Sequence, residues 1–132
     1  MYWDVIWNER AVDRLGEVFH EPYLHGRSEA TIADHALIIE ETVRSMPDLR
    51  VEIIDIETVG DAVITRARFV GTHGGVLFGV TATGRSISAP TLDVYFFRDG
   101  LVARLWHVTD HLPILRGMGA TADVDGQAVT LD

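Results

Sequence analysis

The feature of this sequence that most restricts its fold is a pair of long strand-like segments separated by Asp99 and Gly100. Residues 86–98 are rich in β-branched and aromatic side chains, and so are residues 101–109. An Asp-Gly pair between two such segments is the strongest local indication of a two-residue β-hairpin. We therefore predict a long antiparallel hairpin, whose turn fixes which residues of the two strands lie opposite each other.

The register predicted from this turn assigns the side chains of the hairpin to two faces. The predicted pairs are Arg98 with Leu101, Tyr95 with Arg104, Asp93 with Trp106 and Leu92 with His107. One face then mixes acidic and aromatic side chains, namely Asp93, Tyr95, Phe97, Trp106 and Asp110. The other face is mostly apolar and carries Leu92, Val94, Phe96, Leu105 and His107. The mixed face resembles the wall of a ligand cavity, and a regular strand would keep His107 and Asp110 on opposite faces.

The rest of the chain predicts helices first and strands afterwards. The helices are expected over residues 2–18, with a possible break at Asn8, and from an N-cap at Ser28 to Pro47, with a loop at 19–26 between them. Strands are expected at 50–57, with either a bulge or burial on both faces, and at 62–71, before a Gly-rich connection over 73–84 and the hairpin. A short helix at 112–118 follows. This order is typical of an α+β domain with helices packed on one face of a curved antiparallel sheet.

Length and composition limit what this domain can do. The 132 residues fit a single domain over 1–132, with a core at about 2–119 and a C-terminal tail at 120–132. The net charge of −9 argues against nucleic-acid binding, and no apolar run is long enough to span a membrane. The absence of cysteine and of a secretory signal favours the cytoplasm. All 11 basic residues are arginine, which excludes lysine Schiff-base chemistry.

Three side chains of the hairpin are candidates for acid–base chemistry, and each has a structural alternative. Asp110 ends a strand just before a helix, so it is either a catalytic carboxylate or the N-cap of that helix. Asp93 lies among apolar residues, where a carboxylate needs either a function or a partner such as Arg104. His107 is either catalytic or a hydrogen-bonded core residue. The spacing of His107 and His111 suits a metal ion only on a helix, so no metal site is predicted.

Several short motifs of the sequence resemble one protein family. They are Trp7-Asn8, Tyr23-Leu24-His25-Gly26, Met46-Pro47-Asp48-Leu49, Gly71-Thr72-His73, Ala82-Thr83-Gly84-Arg85, Arg98-Asp99-Gly100 and the segment from Trp106 to Asp110. Together they cover roughly residues 5 to 119 and are similar to the SnoaL-like polyketide cyclases, or ester cyclases, of the nuclear-transport-factor-2-like superfamily. The chain departs from the family at Ala82, where a proline is common, and at Arg104-Leu105, where an acidic residue often precedes the tryptophan.

The resemblance implies a fold, an activity and a set of site residues. The fold is a cone in which a strongly curved antiparallel sheet wraps a long helix and encloses a pocket. The activity is an intramolecular aldol ring closure that needs no metal or cofactor, with Asp110 as general acid and base. On this hypothesis the donor to the developing oxyanion is His73, or His107 where a bulge brings it inward. Asp93 is a third catalytic candidate. The expected pocket walls are Trp7, His25, His73, Tyr95, Phe97 and Trp106.

The expected partners and the alternative functions follow from the same picture. We expect a small hydrophobic or polycyclic substrate and a homo-oligomer, either a dimer or a tetramer. One alternative keeps the pocket and changes the reaction to isomerisation, dehydration or epoxide hydration. Hydration would be favoured by an Asp93–Asp110 pair that shares a water, with Arg98 or Arg104 nearby. The other alternative is a non-catalytic module for small-molecule binding or dimerisation.

Overall fold

The structure is a computed structural model that describes residues 1–122 and 128–130. It is an α+β fold with a six-stranded, curved and unclosed sheet. The strands are β1 (Phe19–His25), β2 (Ser28–Ala30), β3 (Arg50–Val59), β4 (Ala62–Thr72), β5 (Ser86–Arg98) and β6 (Leu101–Thr109), in the order β2-β1-β6-β5-β4-β3. Neighbouring strands are antiparallel except β1 and β6, which are parallel.

Four helices accompany this sheet in the described part of the chain. A π-helix (Tyr2–Asn8) and a 3-10 helix (Val12–Glu17) come first, α1 (Ile32–Ser45) is the longest, and α2 (His111–Gly117) follows β6. Two short strands, β7 (Ala120–Ala122) and β8 (Ala128–Thr130), pair with each other near the C-terminus. The predicted tail at 120–132 therefore contains a small hairpin, and its residues 123–127 and 131–132 lie outside the described residues.

The predicted break of the first helix at Asn8 is confirmed. The amide of Asn8 bonds both backbone groups of Val51, donating to its carbonyl at 3.0 Å and accepting from its N–H at 2.7 Å. A side chain that leaves the helix to pair with β3 fixes the helix end against the sheet. The π-helix is thereby held over the concave face, with Trp3, Ile6 and Trp7 buried beneath it.

The long helix α1 starts later than predicted and ends where predicted. Ser28 is not its N-cap; it begins the short strand β2. Thr31 caps the helix instead, because its hydroxyl accepts from the N–H of Asp34 at 3.1 Å and the Asp34 carboxylate accepts from the Thr31 N–H at 3.2 Å. This reciprocal capping box satisfies two backbone donors. The helix ends at Ser45, before Pro47.

The predicted loop at 19–26 is wrong, because this segment is the strand β1. Phe19 and Tyr23 lie on its buried face and are 1% and 2% exposed. The strand pairs with β6, which is about eighty residues further along the chain. Phe19 and Tyr23 are buried by residues that are distant in sequence, which a local pattern does not show. The expected loop depends only on Pro22 and Gly26.

The predicted hairpin is confirmed, but its register is wrong beyond the first two pairs. Asp99 and Gly100 form the turn with φ angles of 53° and 81°, as a two-residue hairpin requires. Phe97 lies opposite Val102 as predicted, but Phe96 lies opposite Arg104. Ala103 is therefore an extra residue in β6, a β-bulge. The pairs that follow are Tyr95 with Leu105, Val94 with Trp106, Asp93 with His107 and Leu92 with Val108.

The bulge exchanges the faces predicted for β6. His107 now lies on the concave face with Asp93, and Trp106 lies on the outer face, where it is 39% exposed. Sliding a strand by one residue moves all its side chains to the opposite face. Of the two alternatives expected for β3, the bulge is observed, between Ile53 and Asp55, and most of the strand is exposed.

Candidate active site

A cavity of about 210 Å³ lies between the concave face of the sheet, the π-helix and α1. Its wall is mostly apolar and aromatic. It carries polar groups from five strands and helices: Tyr2 of the π-helix, His25 of β1, His35 of α1, His107 and Thr109 of β6, and His111 of α2. Apolar walls with a few convergent polar groups are typical of small-molecule sites.

Asp93 and His107 form a directly bonded pair at this cavity. The side chain of Asp93 is fully buried, and its Oδ1 lies 2.5 Å from Nδ1 of His107. The Thr91 hydroxyl lies 3.3 Å from the other carboxylate oxygen. The imidazole reaches the cavity, since its side chain is 29% exposed. A buried carboxylate needs such partners, so the pair explains why an acidic residue is tolerated within β5.

The carboxylate also selects the tautomer of His107. With Nδ1–H donated to Asp93, Nε2 carries the lone pair, which accepts from the Thr109 hydroxyl at 2.7 Å. Thr109 lines the cavity as well. Nε2 of His107 is therefore at the cavity wall, and the Thr109 hydroxyl that bonds to it can rotate away to admit a substrate.

His35 is a second buried histidine, and both of its ring nitrogens are bonded. Nε2 lies 2.7 Å from the Tyr2 hydroxyl and Nδ1 lies 2.7 Å from the Tyr23 hydroxyl. Burial, and to a lesser degree the neighbouring His25 and His107, lower the pKa of His35 to about 4. It is therefore neutral at neutral pH. No local pattern in the sequence indicates this site, because the two tyrosine partners lie 33 and 12 residues away from His35.

His25 and Trp7 lie on the cavity wall, as predicted from the sequence. The ring of His25 stacks nearly parallel to His35, with centroids 6.3 Å apart. Burial, followed by the proximity of His107, lowers the pKa of His25. Trp7 is 4% exposed, and its indole N–H has no hydrogen-bond partner among the described residues.

Asp110 lies outside this group of residues. It caps α2, because its Oδ1 accepts from the N–H of Leu112 at 3.1 Å, and it is exposed. It is not among the residues that line the cavity. The helix-capping role that the sequence offered as the alternative for Asp110 is thus observed, and its catalytic role stays a prediction.

Three other expected pocket residues are placed elsewhere. Trp106 faces outward, with the guanidinium of Arg104 5.8 Å from its ring centroid, so Arg104 is not the partner of Asp93. Tyr95 and Phe97 line a second cavity of about 290 Å³, which also borders Tyr2 and Trp3. The bulge at Ala103 is the reason that Trp106 changed face.

His73 is buried beneath the loop that follows β4 and does not line the cavity. Its Nδ1 accepts from the backbone N–H of Thr83 at 3.2 Å and lies 2.9 Å from the Thr83 hydroxyl. These bonds join the two ends of the Gly-rich connection. His73 therefore holds that loop, and the predicted donation from His73 to an oxyanion has no geometric support.

Two further observations concern the described residues as a set. No three or more of their His, Asp or Glu side chains come together in a group that could bind a metal ion. None of their helices combines the length and apolarity that crossing a membrane requires.

Comparisons with known proteins identify the family and several similar structures. The family model for SnoaL-like polyketide cyclases matches residues 1–118. TsrD from Streptomyces laurentii superposes with a TM-score of 0.79 at 28% identity, over 87% of each chain. AclR from Streptomyces galilaeus, provisionally assigned as a hydroxylase, gives 0.78 at 28% identity, over 86% of this chain and 87% of its own.

A SnoaL-like polyketide cyclase from Agrobacterium tumefaciens gives a TM-score of 0.77 at 23% identity, over 89% of this chain and 92% of its own. At that identity the likeness concerns the fold, which is the nuclear-transport-factor-2-like fold. A search of curated proteins found no match.

Proposed function

Because the chain belongs to the SnoaL-like polyketide cyclase family, we propose that it closes a ring in a polyketide-like substrate with His107 as general base and acid. Asp93 orients His107 and fixes its tautomer. The observation that carries this proposal is the buried Asp93, which reaches the cavity only through the imidazole bonded to it at 2.5 Å. A buried carboxylate that holds a histidine in one tautomer presents the other ring nitrogen to a substrate as an acceptor, as in other acid–base sites.

The proposed reaction is an aldol closure in which His107 moves one proton. Nε2 removes a proton from a carbon that lies between two carbonyl groups, and the electron pair of that C–H bond enters the enolate. The enolate carbon then forms a C–C bond to a ketone carbon of the same chain, and the π electrons of that ketone move to its oxygen. The imidazolium Nε2–H returns the proton to this alkoxide. The product is an isomer of the substrate, so the ring closure needs no oxidant or reductant.

The cavity supplies proximity and exclusion of water. Its apolar wall includes Met46, Phe69, Leu105 and Ile114. Such a wall favours a folded, compact arrangement of a flexible polyketide chain over an extended one in water. Holding the two reacting carbons together lowers the entropic cost of the closure.

His107 is preferred over Asp110, the base implied by the family resemblance. Asp110 is exposed and its carboxylate already accepts a backbone N–H at the start of α2. Asp93 is bonded to His107 and Thr91 and does not share a site with Asp110. The absence of such a carboxylate pair favours ring closure over epoxide hydration.

The test compares three variants on a linear aryl 1,3-diketone that carries a second ketone within reach, with product analysed by chromatography. We expect His107→Gln and Asp93→Asn each to reduce kcat by at least about 100-fold, the usual contribution of a positioned acid–base group. Asp110→Ser, which keeps a helix cap, is the matched control and should retain most activity. The proposal is wrong if Asp110→Ser abolishes ring closure while His107→Gln retains it.

A further inference from the structure

The indole N–H of Trp7 is a buried donor that lacks an acceptor. Trp7 is 4% exposed, lines the cavity beside His107, and has no partner for Nε1 among the described residues. The nearby Trp3 is equally buried, but its Nε1 donates to the Thr65 hydroxyl at 3.3 Å. A buried donor without an acceptor costs free energy. A ligand oxygen in the cavity would remove that cost.

The hydroxyl of Tyr2 lies beside this donor because of the π-helix. Residues five apart come together in a π-helix, and the rings of Tyr2 and Trp7 meet edge to face with centroids 6.4 Å apart. Tyr2 also lines the same cavity. Burial raises the pKa of Tyr2 well above its ordinary value, and the Trp7 indole N–H beside the phenol oxygen lowers it by a smaller amount, so the phenol keeps its proton at neutral pH.

The direction of the Tyr2 hydroxyl proton follows from the bonds of His35. A neutral imidazole has one donor and one acceptor nitrogen, so one of its two tyrosines donates to it and the other accepts from it. Tyr23 is 2% exposed, and its hydroxyl has only the His35 bond among the described residues. If Tyr23 accepted from His35, its own proton would be buried without an acceptor, which is costly.

The favoured arrangement therefore runs from Tyr23 towards the cavity. The Tyr23 hydroxyl donates to Nδ1 of His35, and Nε2–H of His35 donates to the Tyr2 oxygen. The proton of Tyr2 then remains available to a ligand. Successive hydrogen bonds in such a chain polarise each other, which strengthens the last donor.

We infer that the Trp7 indole N–H and the Tyr2 hydroxyl form a two-donor site for an enolate or carbonyl oxygen of the substrate, with Tyr23 and His35 positioning Tyr2. This inference rests on the proposed function, since the oxygen it binds belongs to the carbon acid that His107 deprotonates. The donor pair limits the expected substrates to 1,3-dicarbonyl compounds whose enolate oxygen can reach both the Trp7 N–H and the Tyr2 hydroxyl. Fixed donors aimed at a developing negative charge stabilise it without reorganisation.

Binding of a phenolate, which resembles an enolate, tests the donor pair without turnover. The probe is 4-nitrophenolate, followed by its absorbance, and the neutral reference of nearly the same shape is 4-nitrotoluene. We expect Trp7→Phe and Tyr2→Phe each to weaken phenolate binding about tenfold, as expected for a lost hydrogen bond to a charged group. Binding of 4-nitrotoluene should change little in both variants. The control Trp3→Phe removes an indole that is already paired and faces the other cavity.

A second experiment tests the direction of the chain. Nitrogen NMR of His35 should report the Nε2–H tautomer in the native chain. In Tyr23→Phe, Nδ1 of His35 loses its donor and gains no acceptor, so the ring proton should stay on Nε2. Phenolate binding should weaken, but by less than in Tyr2→Phe, because the chain loses one polarising bond although Tyr23 does not line the cavity. Tyr95→Phe, whose hydroxyl contacts Thr65, is the control.

The inference is overturned if Trp7→Phe weakens both probes equally, if Trp3→Phe matches it, or if His35 already carries its proton on Nδ1. Its outcome is separate from that of the proposed function. If His107→Gln loses ring closure and Trp7→Phe binds phenolate as the native chain does, His107 is supported as the base and the donor pair is ruled out. If the native chain binds phenolate selectively but closes no ring, the donor pair is supported and the proposed ring closure is ruled out.

Discussion

Asp93 and His107 lie opposite each other on β5 and β6 because Ala103 is an unpaired residue between them and the turn. Without that bulge the hairpin would place Trp106 opposite Asp93 and turn the imidazole to the outer face. A single inserted residue thus decides which side chain meets the buried carboxylate.

Inserting one alanine after Ala103 should shift the later part of β6 by one residue, because a bulge of the same size then places Trp106 opposite Asp93. We expect ring closure to be lost, and the exposed fraction of His107 to rise as it turns outward. Deleting Ala103 is the control, because it removes only the unpaired residue and keeps Asp93 opposite His107, so it should retain both the bond and the activity. Histidine NMR chemical shifts provide the measurement, and an unchanged His107 signal in the insertion variant would contradict the bulge argument.

Removing the imidazole should destabilise the protein, because it leaves Asp93 buried without its main partner. For His107→Leu we expect the free energy of unfolding to fall by about 3 kcal/mol, as for other broken buried pairs. Adding Asp93→Asn to this variant should recover part of that loss, since the amide carries no charge. Urea unfolding of the two single variants and the double variant measures this coupling. Strict additivity of the two effects would show that the pair contributes nothing.

The buried His35 should make stability depend on pH. Its pKa is lowered from 6.5 to about 4 in the folded state, so the unfolded chain binds more protons between these values. Stability is therefore fully present above about 6.5 and is lost as the pH falls towards about 4, by up to about 3 kcal/mol. Guanidinium unfolding across this range measures the slope.

The variant His35→Gln should flatten this slope, since glutamine does not titrate. The exposed His111 offers a matched control, because His111→Gln removes an imidazole that is not buried. An identical acid sensitivity in native protein and His35→Gln would assign it to other groups.

The cap of α2 should matter for stability rather than for chemistry. Asp110→Ala removes the acceptor for the Leu112 N–H, and should lower the free energy of unfolding by about 1 kcal/mol. Asp110→Ser should restore most of it. Thermal unfolding together with the ring-closure assay checks both expectations, and a native-like stability of Asp110→Ala would contradict the capping role.

The parts of the fold that depend on neighbours in sequence were predictable. The Asp99–Gly100 turn, the strands on either side of it, the end of α1 before Pro47 and the bulge in β3 all follow from local rules of turn formation and alternation. The family motifs added the curved sheet and the enclosed pocket. The motifs did not indicate that Asp93 and His107 would meet.

The sequence by itself determined an α+β domain of the cyclase family, a long hairpin near its C-terminal end, and His107, Trp7 and His25 among the cavity candidates. Only the tertiary structure decided which partners these residues have. The bulge at Ala103 pairs His107 with Asp93, and the packing of α1 against the π-helix and β1 brings His35 between Tyr2 and Tyr23. The physical reason is that hydrogen-bond partners 12 to 33 residues apart are selected by burial and strand register, which no local pattern encodes.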